Sequence, residues 1–261
     1  MAGRVRIERE GALGWLVFDH PERRNAISVE MWRAIPQAIR QLDADPQVRV
    51  VILRGAGEQA FVSGADISEF ARQRTVAQAA SQYDQQTGRA FGALLESRTP
   101  LLAMIHGWCV GGGMATALAA DIRYAAEDAV FAIPAARLGV GYPAAGIQAL
   151  VALVGPSAAK EIFFTARRIP AQEALQLGIV NAVFPKAELE KDVRERAAAI
   201  ARNAPLSVRS AKLIVQELAR DPAQRDAAAM EASIRACFES EDYREGVRAF
   251  LEKRAPQFEG R

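Results

Sequence analysis

The chain is poor in side chains that bind soft metals. Its 261 residues include two cysteines, Cys109 and Cys237, and two histidines, His20 and His106, with no Cys/His cluster among them. That excludes a zinc site and a disulfide framework. An excess of one charge is also missing: 33 Lys and Arg face 31 Asp and Glu, a net charge of +2. Bulk binding to nucleic acid or to a membrane surface therefore has no electrostatic basis. No apolar run reads as long enough to span a bilayer, and no leader-like segment opens the chain. The cytoplasm is the expected compartment, and neither nucleic acid nor membrane is an expected partner. Half of the residues are hydrophobic, and the length allows a large buried core.

Strands and helices alternate. Val5 to Arg9 and Leu13 to Asp19 read as strands joined at Glu10-Gly11-Ala12. After the polar turn His20 to Asn25, Ser28 is the expected N-cap of a helix carrying Met31, Trp32, Ile35, Ile39 and Leu42 at helical spacing. Val48 to Arg54 is a β-branched run, expected as a buried strand. Phe61 to Phe70 reads as a loop entering a helix, and a helical stretch runs from about Val76 to Ser97. Leu101 to Ile105, Asp121 to Tyr124 and Ala129 to Ile133 read as further strands. A glycine-rich loop, Leu138 to Gly146, opens a helix that Gly155-Pro156 closes, and helical pattern then fills Ser157 to Thr165, Ala171 to Leu177, Leu189 to Asn203 and most of Ser207 to Lys253. Strands mixed with helices followed by a run of helices predict an α/β core with a helical C-terminal region.

The stretch with most chemical content is Ile105 to Ala115, where Gly111-Gly112-Gly113 stand between an apolar strand and a helix start. A helix N-terminus offers unpaired N–H groups and a positive dipole end. Such a turn suits a phosphate, a carboxylate or an oxyanion formed only in a transition state. It equally suits a tight turn with no ligand. Asp121 is expected to tether backbone, His106 to satisfy a core hydrogen bond, His20 to belong to its turn, and Glu69 to face solvent.

Several motifs together carry a family likeness. FVSGADISEF at Phe61 to Phe70 and IHGWCVGGGMATALAADIRYA from Ile105 resemble the two oxyanion motifs of the crotonase (enoyl-CoA hydratase/isomerase) superfamily. FAIPAARLGV from Phe131, Ala159 to Pro185 and the tail Ser240 to Phe258 are similar to that family's later segments. The resemblance implies a crotonase-like spiral of ββα repeats over residues 1–200, with a helical region at 201–261 used in trimerisation. It implies a homotrimer or a hexamer (dimer of trimers), an acyl-CoA substrate, and no cofactor besides the CoA carried by that substrate. It places the oxyanion donors at Ala65 and Gly112, a basic CoA contact at Arg24, an adenine-cradling backbone at Ala65, Asp66 and Ile67, and a neighbouring subunit's Lys253 near the CoA phosphates.

The chain also departs from the family pattern. The hydratases move protons with two glutamates, one two residues beyond the third glycine and one after the proline of the following segment. Those positions hold Ala115 and Ala135. An alanine methyl moves no proton. LGVGYPAAGIQAL from Leu138 is similar to the methylmalonyl-CoA decarboxylases of the superfamily, although those carry His where this chain has Ala65. Decarboxylation needs no general base, because departing CO2 leaves the enolate in the oxyanion hole. A site without carboxylates also repels an anionic substrate less. Tyr142 is the expected hydrogen-bond or proton donor, and Arg137 the expected contact for a substrate carboxylate. The expectation is an acyl-CoA lyase lacking both usual glutamates, which decarboxylates a malonyl-type thioester through a stabilised enolate. An enoyl-CoA hydratase or isomerase of fatty acid metabolism with other acid and base groups, and an acyl-CoA-binding protein without turnover, are the alternatives.

Overall fold

The computed structural model describes residues 2–66 and 77–261. The large sheet has the order β1 (Arg4–Glu10), β2 (Leu13–Asp19), β3 (Val50–Gly55), β5 (Leu101–Ile105), β7 (Ile122–Ala126) and β10 (Ala182–Phe184). The small sheet has the order β4 (Ala60–Val62), β6 (Trp108–Val110), β8 (Val130–Ala132) and β9 (Ile169–Pro170). β1 pairs antiparallel with β2, and the rest of the large sheet is parallel. Successive strands are shared between the sheets: β3, β5 and β7 run in the large one, and β4, β6 and β8 follow in the small one. Helices close each unit: α1 (Val29–Ala44) precedes β3, α2 (Ala77–Leu95) follows β4, α3 (Gly112–Leu118) follows β6, and α4 (Ala135–Leu138) with α5 (Ala144–Thr165) follows β8. This is the spiral of ββα units.

The apolar runs become central strands because both faces of the large sheet are covered. Leu16 and Phe18, Val51 and Leu53, and Leu101, Ala103 and Ile105 pack with α1 residues Met31, Trp32, Ile35 and Ile39. The alternate residues Trp15 and Val17, Val50 and Ile52, and Leu102 and Met104 face the other way, onto Leu189, Val193 and Ala197 of α7 (Leu189–Ala201). The period of two thus divides one hydrophobic run between two cores. Ser28 caps α1 as expected, its hydroxyl accepting from Met31 N at 3.3 Å.

Four strands differ from the sequence reading. Ala60–Val62 is a strand within the expected loop, and Trp108–Val110 is a strand between Ile105 and the glycines. Ile169–Pro170 and Ala182–Phe184 were not expected as strands at all. Each has at most three residues, too few to display a period, and pairing with neighbours creates it. The expectation that no apolar stretch is long enough to cross a membrane is also corrected. Gly146–Thr165 passes that test by length and composition, with mean hydropathy 1.3. At Gly155 (φ 74°, ψ 167°), however, the backbone leaves the helical conformation before Pro156. The expected Gly155-Pro156 boundary is therefore present, as a kink that divides Ala144–Thr165 into two helical segments.

After α6 (Ala171–Gln176) and α7, three helices complete the chain: α8 (Pro205–Leu218), α9 (Ala227–Glu239) and α10 (Glu241–Leu251). Asp121 joins them to the sheet, as its expected tethering role requires. Its Oδ2 accepts from Leu101 N at 2.7 Å and from Lys212 Nζ of α8 at 2.8 Å. Residues 252–261 fold back on α10, where the Asp242 carboxylate accepts from the N–H groups of Glu259 and Gly260. Arginines Arg254 and Arg248 hold the nearby Glu245 carboxyl well below the ordinary range. His20 knits its turn, with Nδ1 3.1 Å from the Ala26 carbonyl oxygen.

His106 stands at the corner between β5 and β6 and is 6% exposed. The imidazole makes the expected core hydrogen bond, to the Gly57 backbone, while its Nε2 has no partner among the described residues. The corner is held by backbone, with the His106 carbonyl accepting from Phe61 N, and the ring itself engages the Gly57 backbone. Burial pushes the imidazole below its ordinary value of 6.5; Asp128 opposes this, and Lys186 and Arg54 add to it. Below pH 6.5 the unfolded chain takes up a proton that the folded chain refuses. The stability contribution is therefore complete above that value and is lost as pH falls towards the lowered folded value, by up to about 1.4 kcal/mol per pH unit. Urea unfolding of the wild type and His106→Asn across this window is expected to give a steeper acid-side loss for the wild type. Parallel profiles would refute the assignment.

Candidate active site

The glycine turn is held by three different constraints. Gly111 has φ 53° and ψ −112°, a left-handed conformation that a side chain resists. Its N–H donates to Ala132 O of β8 at 2.9 Å, which starts α3 directly beside the small sheet. A methyl on Gly113 would lie 2.2 Å from the Val62 carbonyl oxygen, so α3 and β4 approach as closely as backbones can. A first side-chain carbon on Gly112 would lie 3.1 Å from Cζ2 of Trp32 and 3.7 Å from the Ala65 nitrogen. The two sequence motifs, about fifty residues apart, are thus brought together at Ala65 and Gly112.

Both nitrogens carry hydrogens without an acceptor among the described residues. Ala65 forms a parallel bridge with Ile27, in which Gly64 O accepts from Ile27 N (2.8 Å) and Asp66 N donates to Ile27 O (3.0 Å). Alternation along an extended strand then points the N–H of Ala65 itself away from Ile27. Gly112 is the first helical residue, where no intrahelical acceptor exists. The turn that places Ile27 is fixed by Asn25, which is fully buried. Its Oδ1 accepts from His20 N (3.0 Å), and its Nδ2 donates to Ala56 O (2.9 Å) and Ala60 O (2.8 Å).

Around this pair, Ala115 and Ala135 are buried at 7% and 8% exposure. Pro134, which precedes Ala135, lies with Cδ 4.0 Å from where a Gly111 side chain would begin, so both alanines adjoin the glycine turn. Tyr142 is brought in as well: its hydroxyl donates to Gly111 O at 3.3 Å, and its ring meets Phe163 edge-on with centroids 5.1 Å apart. Burial raises its phenol, reinforced by Cys109 and Tyr83, so Tyr142 is neutral and can donate. Asp66, beside Ala65, is engaged by Arg23, whose Nη1 lies 2.9 and 3.2 Å from the two carboxylate oxygens.

The remaining expected residues are more dispersed. Arg24 is exposed at the rim, and its carbonyl accepts from Ser63 N, two residues before Ala65. Arg137 is exposed on α4, two residues after Ala135. Lys253 lies beyond α10 with φ 54°, exposed, and within one chain no hydrogen bond or ion pair joins it to the glycine turn. Ile67 and Glu69 lie outside the described residues. Two residues of the site were not anticipated as such. Trp32 lies over Gly112, and its Nε1 donates to Tyr83 Oη at 3.1 Å. Helical spacing marked Trp32 as core, which it also is; nothing in the sequence pairs it with Tyr83.

The glycine constraints are separable by mutation. Gly113→Ala forces β4 to retreat and is expected to destabilise by about 3 kcal/mol or more, at the upper end of overpacking costs. Gly112→Ala meets only a side chain and is expected to cost about 1 kcal/mol. Denaturant midpoints of the two variants check the order.

The architecture and the sequence have close counterparts. The enoyl-CoA hydratase/isomerase family model matches residues 8–261. A short-chain-enoyl-CoA hydratase from Clostridium acetobutylicum is 34% identical, over 96% of this chain and 95% of its own. Among solved structures, an enoyl-CoA hydratase/isomerase family protein from Hyphomonas neptunium superposes with TM-score 0.94 at 38% identity, covering 98% of each chain. An enoyl-CoA hydratase/carnithine racemase from Magnetospirillum magneticum gives TM-score 0.94 at 35% identity, covering 98% of this chain and 96% of that one. With the spiral, the paired donors and the match over nearly the whole length in agreement, this chain belongs to the enoyl-CoA hydratase/isomerase family of the crotonase superfamily.

Proposed function

We propose that the chain stabilises the enolate of an acyl-CoA thioester and that its specific reaction is decarboxylation of a malonyl-type acyl group. The observation that carries this reading is the pairing of N–H groups at Ala65 and Gly112, which have no acceptor among the described residues, with alanine at 115 and 135. The thioester oxygen lies between the two N–H groups. The bond to the carboxylate carbon breaks, CO2 departs, and its electron pair becomes the enolate, whose charge settles on that oxygen. One such donor contributes about 3 kcal/mol in other oxyanion holes. The enolate carbon then needs a proton, and the neutral Tyr142 hydroxyl is the assigned donor, its proton being restored from solvent after turnover. Arg137 is the assigned contact for the departing carboxylate. Arg24, the backbone at Ala65, Asp66 and Ile67, and Lys253 of a neighbouring copy are assigned to CoA. The large exposed side chains Phe238, Val247, Phe250 and Leu251 on α9 and α10 support assembly into a trimer or a dimer of trimers.

Hydration of an enoyl-CoA is the second reading, favoured by full-length likeness to the Clostridium hydratase. It requires acid and base groups other than residues 115 and 135. Binding of acyl-CoA without turnover is the third.

A paired assay separates the three. Malonyl-, methylmalonyl- and ethylmalonyl-CoA are followed for loss of the carboxylate, and crotonyl-CoA for loss of its conjugated double bond. Carboxylate loss with inert crotonyl-CoA is expected. Rapid hydration of crotonyl-CoA would overturn the reading, and tight binding with no turnover would leave the binding protein. Tyr142→Phe is expected to lower the decarboxylation rate constant about 100-fold with KM little changed, the size of a lost general acid. An unchanged rate removes the phenol from the mechanism. Light scattering is expected to give three or six times the chain mass.

A further inference from the structure

Two Arg-Arg pairs, distant in sequence, come together beside one indole. In Arg23-Arg24, the first arginine binds the Asp66 carboxylate at 2.9 Å. In Arg167-Arg168, the first binds Glu173 at 2.8 Å and Glu161 at 3.0 Å. The second arginine of each pair is placed otherwise. The guanidinium carbon of Arg168 lies 4.8 Å from the centroid of Trp108, and that of Arg24 lies 6.0 Å from the same ring. Neither has a carboxylate at ion-pair distance among the described residues. Both are exposed.

The topology makes this convergence. Trp108 opens β6 in the middle of the small sheet, paired with Ala60 of β4 and Val130 of β8. Arg168 immediately precedes β9, which pairs with β8. Arg24 lies beside the segment that follows β4, its carbonyl accepting from Ser63 N. An indole face attracts a guanidinium and orients its plane. It does not neutralise the charge, so both cations stand within 6.0 Å of one ring centroid with no carboxylate partner among the described residues. A planar guanidinium in that state is suited to a phosphate, which it binds bidentately. Two residues upstream of Ala65 the same chain segment already contacts Arg24, so the charge lies beside the SGAD segment.

We propose that Arg168, positioned by Trp108, joins Arg24 in holding a phosphate of the nucleotide end of the CoA thioester. The proposal rests on the acyl-CoA reading above and adds Arg168 and Trp108, to which the resemblance assigns no role. Arg168 is a binding residue and Trp108 a positioning residue. Neither touches the reacting atoms.

The test is calorimetric titration with coenzyme A of the full chain, Arg168→Ala, Arg168→Lys and Trp108→Leu, each at several salt concentrations. Arg168→Ala is expected to weaken CoA binding about tenfold, about 1.4 kcal/mol, and to make the dissociation constant less dependent on salt. Arg168→Lys is expected to keep the salt dependence while losing part of the affinity, and Trp108→Leu to weaken binding with Arg168 still present. An unchanged dissociation constant in Arg168→Ala, or a weaker one with the wild-type salt dependence, would overturn the subsite, since loss of fold alone does not remove a charge contact selectively. Absence of CoA binding by the unaltered chain overturns the acyl-CoA reading itself and with it the ligand named here. The exposed position of Arg168 keeps its variants foldable, and their thermal unfolding is measured alongside.

Discussion

Everything at the site depends on how closely α3 lies against β4. Gly113 meets the Val62 carbonyl at a separation no side chain allows, and that contact sets the distance between two segments that would otherwise have no fixed relation. From β4 the chain runs on through Ser63 and Gly64 to Ala65; from Gly113 one step back is Gly112. The two donor nitrogens are thus neighbours because two backbones touch just behind them. Asn25 adds the second restraint by locking the turn that bridges Ala65 to Ile27. Both restraints are made by main chain or by a buried amide, neither of which titrates near neutrality.

The fold was legible where burial imposes a period. The runs at Leu13, Val50 and Leu101 read as buried strands and are so, and the helical spacing of Met31, Trp32, Ile35 and Ile39 marks the face of α1 that covers them. Strands of two or three residues were not legible, because β4, β6, β9 and β10 are defined by their partners and not by their own composition. The same limit applies to His106. A lone histidine at a strand end reads as a satisfied core group, and only the packing shows that the Gly57 backbone engages the ring while Nε2 has no partner among the described residues.

For the site, the glycines alone read as an anion-friendly turn or a plain one, the family resemblance pairs them with the SGAD segment, and the structure brings Ala65 and Gly112 side by side. Tyr142 was legible as an aromatic at a helix entrance, but its contact with Gly111 O depends on the path of the loop between α4 and α5. The partnership of Trp32 with Tyr83 and that of Arg168 with Trp108 join segments fifty or sixty residues apart. No local pattern encodes such pairs. They arise because the spiral returns the chain to the same edge with each turn.

The donors at Ala65 and Gly112 belong to the peptide bond and not to side chains, and this bears on how such a site varies. Replacing a side chain deletes neither N–H; only proline removes one. Mutation can therefore rewrite the groups that move protons while the groups that receive charge persist. In this chain the two N–H groups are fixed by the backbone, and the side chains around them, Ala115 and Ala135 among them, can change without removing either.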